Sequence, residues 1–209
     1  MKMKKIILVF LLTFKVSAMF SQGLIVALAS GPSAYIPKTK VLGEFPLYPT
    51  INKYDFKGKA IKIQFKDLRD SLKIEKTECS DIAIENKTKF NTDLGSKLVK
   101  SYIDSLFVKS NLQLAENINS EIVSVSLNVL DSKKSGFLIP KVHGICQMNF
   151  TYKNLNKTYC IDLKDGDNNA PVGRMTVISI QRAKELLICS SIREVIEQFL
   201  KDLENYKDN

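Results

Sequence analysis

NTDLGSKLVKSYIDSLFVKSNLQLAENINSEIVSVSLNVLD, Asn91–Asp131, is the stretch that decides the fold. In its first half Leu94, Leu98, Tyr102 and Leu106 recur every four residues, with Val99, Ile103 and Phe107 beside them. That spacing predicts one helix with a broad apolar face. Asn91 or Thr92 is the expected cap, Asp93 suits the positive end of the helix dipole, and Ser110-Asn111 is the expected stop. In the second half Val123, Val125, Leu127 and Val129 alternate with Ser124, Ser126 and Asn128. Period two predicts a strand with one buried and one polar face.

Outward from this pair, the same pattern marks further strands. Ile61, Ile63 and Phe65 alternate with Lys62, Gln64 and Lys66, and a charged turn, Asp67-Leu68-Arg69-Asp70, follows. Asp81–Glu85 reads as a short edge strand around Ile82 and Ile84. Lys133-Lys134-Ser135-Gly136 reads as a polar turn. Val142–Lys153 and Lys157–Leu163 form an expected hairpin turned by Asn154-Leu155-Asn156. Thr176–Ile180 suits a strand and Arg182–Ile188 a helix. Ser191 and Glu194 have capping-box spacing before a last helix carrying Ile192, Val195, Ile196, Phe199, Leu200 and Leu203.

The N-terminus has the three parts of a secretory signal: Lys2, Lys4 and Lys5, then the apolar run Ile6–Phe14, then small residues at Val16-Ser17-Ala18. Cleavage after Ala18 has cleavage after Ser21, leaving Gln22 first, as its close competitor, with Ala27-Leu28-Ala29 a third option, and the leader is taken to Ser21; an uncleaved anchor is disfavoured by the short run and by Lys15. The chain therefore divides into a leader (1–21), an extended proline-containing arm (22–59), one domain (60–205) and a frayed tail (206–209). Formal net charge is +9 over 209 residues, and four of those charges are leader lysines, leaving +5 for the rest. The remaining lysines are scattered among acids without interleaved aromatics, which argues against nucleic acid and allows peripheral attraction to an anionic membrane surface.

Cys79, Cys146, Cys160 and Cys189 make an even count in an exported chain, so disulfides are permitted. A hairpin turned at Asn154–Leu155 sets Cys160 opposite Asn149 or Phe150, too far from Cys146 to bridge. Buried free thiols are the slightly favoured reading. No Cys-x-x-Cys exists, and His143 is the single histidine, so no metal site and no cofactor are expected. His143 and Cys146 lie three apart on a strand and face opposite sides. Asp165, Asp167 and Asn169 imitate the start of a calcium loop, but Ala170 and Thr176 stand where glycine and glutamate are required. Asp67, Arg69 and Asp70 are the candidate binding residues, against the alternative of a surface ion pair in a turn.

The order of elements, an Ile-x-Ile-x-Phe-x-Asp-x-Arg strand at Ile61–Arg69, a long helix, a Val-x-Val-x-Leu-x-Val-Leu strand at Val123–Leu130, a hairpin and a C-terminal helix, resembles the YajG-like family of envelope lipoproteins. More loosely it resembles the lipopolysaccharide-assembly lipoproteins. The resemblance spans Ala60–Leu203 and departs in lacking a lipid-attachment cysteine after the leader. It implies a binding or assembly role and carries over no catalytic residue. The sequence thus predicts an α+β domain, with an antiparallel sheet of about four or five strands and two amphipathic helices packed on one face. The expected role is that of an exported, non-catalytic periplasmic or envelope protein that binds a partner protein or an envelope glycolipid. Two alternatives stand beside it: a binder of lipid or another small apolar ligand between sheet and helices, and an exported hydrolase using Asp67, Asp70 or His143.

Overall fold

A computed structural model describes residues 47–85, 95–115, 120–136, 141–172 and 180–206. The leader, most of the arm, the expected helix start at 91–94, residues 176–179 of the expected strand and the last three residues lie outside the described residues. The elements run β1 (Lys59–Asp67), α1 (Ser96–Lys109), β2 (Leu112–Leu114), β3 (Glu121–Ser135), β4 (Lys141–Tyr152), β5 (Leu155–Lys164) and α2 (Ile180–Glu204). The strands form one sheet in the order β2-β1-β3-β4-β5. β1 is parallel to β2 and to β3, whereas β3, β4 and β5 are antiparallel. The expected antiparallel sheet is therefore corrected to a mixed one. The chain leaves β1, crosses through α1 and returns beside it, and such a crossover brings the next strand back in the same direction.

Both helices contribute to one core. Val99, Tyr102, Ile103, Leu106 and Phe107 of α1 are buried, and Phe199 of α2 stacks on Phe150 of β4 and Phe107 of α1, with ring centroids 4.4 and 5.9 Å apart. Packed aromatics thus occupy the space between sheet and helices. α1 ends as expected: Ser110 caps it and Asn111 takes φ 59°, a conformation asparagine tolerates well. α2 is one 25-residue helix, so the capping box at Ser191 does not operate. Ser191 is interior and buried, and its hydroxyl donates to the carbonyl of Ile188 at 2.8 Å. A mid-helix serine satisfied by the preceding turn does not interrupt a continuous apolar face.

Three local features depart from simple alternation. The β3–β4 register shifts between Leu127 and Val129, so Leu130 takes the core position and Val129 turns to the opposite face. β3 then continues through the expected Lys133–Gly136 turn as far as Ser135. The β4–β5 turn sits at Lys153-Asn154, with Tyr152 paired to Leu155, so Cys160 lies opposite Gln147 rather than Asn149 or Phe150. Asp81–Glu85 is not an edge strand. The 68–85 loop lies over the sheet face opposite the helices, where Ile84 packs with Val129 and Ile145. A disulfide from Cys79 to Cys160 fastens it there, leaving Cys146 and Cys189 as buried free thiols. The free-thiol reading therefore holds for two of the four cysteines and fails for the pair that the loop brings together.

Gly144 on β4 marks where α2 lies nearest the sheet. A β-carbon there would stand 2.4 Å from the Leu187 carbonyl carbon and 2.5 Å from its oxygen. Those are backbone atoms and cannot swing aside. Gly144→Ala is expected to destabilise the fold by about 3 kcal/mol, measured as a drop in the urea midpoint at unchanged m-value.

Candidate functional site

The predicted Asp67–Arg69 pair exists, at the end of β1 on the helix side. Arg69 donates to both Asp67 carboxylate oxygens at 2.9 and 2.6 Å, and Ser96, in the first turn of α1, adds a third bond at 2.8 Å. Burial alone would raise the Asp67 carboxyl, but Arg69 and Ser96 outweigh it and hold it below the usual carboxylate range. The pair ties β1 to the start of α1. Asp70 is exposed in the following turn and stays outside it.

The outer sheet face gathers more chemistry, and it divides into three zones. At one end, two rows of side chains cross four strands. One row is Gln64, Ser124, Thr151 and Asn156; the next is Lys66, Ser126, Asn149 and Thr158. Asn149 donates to Asn156 at 3.0 Å and to Thr158 at 3.2 Å. Beyond these rows lie the amides of Asn128 and Gln147, whose inward-turned carbonyl oxygens make no hydrogen bond among the described residues. The middle zone lies under the 68–85 loop. Lys133 donates to the Ala83 carbonyl and pairs with Glu85, while the Glu85 N–H donates to Asp131 at 3.1 Å.

The third zone centres on His143. Its Nδ1 lies 2.7 Å from Asp162 Oδ1, and its Nε2 lies 2.7 Å from Ser135 Oγ. Ser80 from the loop donates to the other Asp162 oxygen at 2.7 Å. The His143 and Asp162 side chains are 5% and 4% exposed, whereas Ser135 is half-buried at the strand end. In the tautomer whose Nδ1–H donates to the Asp162 carboxylate, Nε2 presents its lone pair to the Ser135 hydroxyl. Sequence reasoning named His143 but missed both partners. The turn expected at Lys133–Gly136 hides Ser135, and Asp162 comes beside His143 only in the actual hairpin register. His143 and Cys146 do face opposite sides, as alternation required: Cys146 is buried in the core, where its thiol is pushed up by desolvation.

A separate cleft of about 370 Å³ lies between the N-terminal segment and α2, lined by Asn52, Tyr54, Asn169, Glu194 and Glu197 among others. Glu197 accepts from the Ile51 and Asn52 amides at 3.1 and 2.6 Å, so it is engaged in docking the segment. Among the described residues no group of three His, Cys, Asp or Glu side chains could hold a metal ion, and no helix is long and apolar enough to cross a membrane.

Asp67→Asn is expected to cost about 3 kcal/mol at neutral pH, because Arg69 loses its carboxylate partner inside the protein. A depressed carboxyl stabilises the fold above its unfolded value, about 4, and that contribution is lost as pH falls through the folded value. Stability curves for wild type and variant should converge below about pH 4; parallel curves would rule the pair out as the cause.

No family model and no curated protein matches the chain in sequence. Among solved structures it is similar to a minor lipoprotein from Acinetobacter baumannii, with 8% identity over 70% of this chain and 93% of that one and a TM-score of 0.41. It is also similar to a Xanthomonas campestris protein of the family designated DUF330, with 11% identity over 83% and 97% and a TM-score of 0.45. A hypothetical protein from Chlamydia trachomatis follows with 9% identity over 71% and 97% and a TM-score of 0.33. At these scores the likenesses carry no inference about function.

Proposed function

We propose that this domain is an exported envelope protein that binds the sugar head of a glycolipid on the open part of its outer sheet face. The observation that carries this reading is the pair of cross-strand rows, Gln64-Ser124-Thr151-Asn156 and Lys66-Ser126-Asn149-Thr158. Seven of the eight side chains are uncharged hydrogen-bonding groups, which neither repel nor select a charged protein surface but suit a ligand rich in hydroxyls. Four strands at about 4.8 Å spacing span roughly 14 Å, the scale of one or two sugar rings. Lys62 and Lys66 border the plane on β1, where they favour an anionic substituent such as a phosphate. Export is supported by the leader and by the Cys79–Cys160 disulfide, a bond typical of oxidising compartments.

The test is co-sedimentation of the mature chain with phosphatidylglycerol vesicles, with and without a phosphorylated disaccharide lipid. The sugar lipid should raise binding at least tenfold, and Asn149→Ala with Thr151→Ala should remove that gain at an unchanged thermal midpoint. Equal binding to both vesicle types would refute the reading.

A further inference from the structure

We infer that Ser135 is a nucleophile activated by His143 and Asp162, and that this end of the sheet hydrolyses carboxylic esters. The inference is independent of the glycan plane, which lies at the opposite end of the same face. Three observations carry it. First, the two hydrogen bonds, Ser135 Oγ to His143 Nε2 and His143 Nδ1 to Asp162 Oδ1, are both 2.7 Å, the reach that a nucleophile, base and orienting acid require. Second, the orienting acid is itself fixed, since Ser80 occupies its second oxygen. Third, exposure falls along the chain of groups: the serine reaches the surface while the base and acid are shielded, as a nucleophile met by substrate must be.

Holding the loop in place does not account for the Ser135 bond. Ser80 reaches Asp162, and Cys79 is bonded to Cys160, so the loop is secured on β5. Ser135 and His143 belong to strands already joined by their backbones over a long register. Their hydrogen bond brings no further segment into place.

The reaction balances without a cofactor. Ser135 Oγ bonds to the ester carbonyl carbon as its proton passes to His143 Nε2. The tetrahedral species expels the alcohol oxygen, which leaves with that proton. Water then attacks the acyl-serine, gives a proton to His143, and the Ser135 oxygen departs with it, releasing a carboxylic acid. Nothing is oxidised or reduced. Lys141 stands opposite Ser135 in the register, whereas Lys164, opposite His143, is paired with Asp162 Oδ2 at 4.0 Å. Lys141 favours esters that carry a negative charge.

The experiment is labelling of the folded mature chain with a biotinylated fluorophosphonate, followed by mass spectrometry of the modified peptide. The expected result is label on Ser135, lost in Ser135→Ala and slowed at least tenfold in Asp162→Asn. Unlabelled wild type, label on another residue, or equal rates in wild type and a folded Asp162→Asn would overturn the inference. If Asp162→Asn does not fold, Ser135→Cys decides the matter. Alkylation of the introduced thiol by iodoacetamide at neutral pH should exceed that of glutathione at least tenfold, and an equal rate would overturn it. Cys146 and Cys189 are buried and do not compete.

Discussion

The backbone approach of α2 to β4 at Gly144 is the constraint on which the rest of the structure depends. Leu187 sits so near that no side chain fits between helix and strand. This contact sets the depth at which α2 lies, and with it the layer in which Phe199 meets Phe150, Tyr159 and Phe107. β4 also pairs on both sides, with β3 and with β5. Its even-numbered residues are committed to the helices, so its odd-numbered residues, His143, Ile145, Gln147 and Asn149, must face the other way. Every candidate site on the outer face follows from that division.

The outer face illustrates how a half-covered sheet is managed. Two helices suffice for one side only. The 68–85 loop covers the middle of the other, where the bulge between Leu127 and Val129 has turned an apolar residue outward to meet Ile145 and Ile84. Polar rows remain open at one end, and the His143 group lies at the other. The bulge is thus linked to the loop: without Val129 on this face, Ile84 would have less apolar surface to bury against.

The elements themselves were legible because their periodicities are strong. α1, β1, the first half of β3 and the existence of the hairpin all follow from alternation or from four-residue recurrence. Sheet direction was also encoded, since a strand, a long helix and a strand in succession imply a parallel return. What escaped was register. A one-residue bulge and a turn closed at Lys153-Asn154 leave no periodic trace, yet they decide which residues share a face. The Cys79–Cys160 bond escaped for the same reason. So did the meeting of Ser135 with Asp162 through His143, since serine and aspartate are common strand-end residues with nothing local to distinguish them. Asp67 and Arg69 were found because their two-residue spacing is itself the interaction.

The four cysteines have a consequence for how the chain acquires its covalent structure. Two thiols end in the interior, where desolvation pushes Cys189 up to about 12 and raises Cys146 as well. A thiol so placed is scarcely ionised, and disulfide exchange proceeds through the thiolate. Of the six ways to join two of four cysteines, every wrong one uses a sulfur that the folded core withdraws from reaction. Collapse of the sheet and helices before oxidation therefore acts as its own proofreader, leaving Cys79 and Cys160 as the one reactive couple. An oxidant that arrives before collapse meets four equivalent thiols. For this chain, the yield of correctly bridged protein is set by which of the two events comes first.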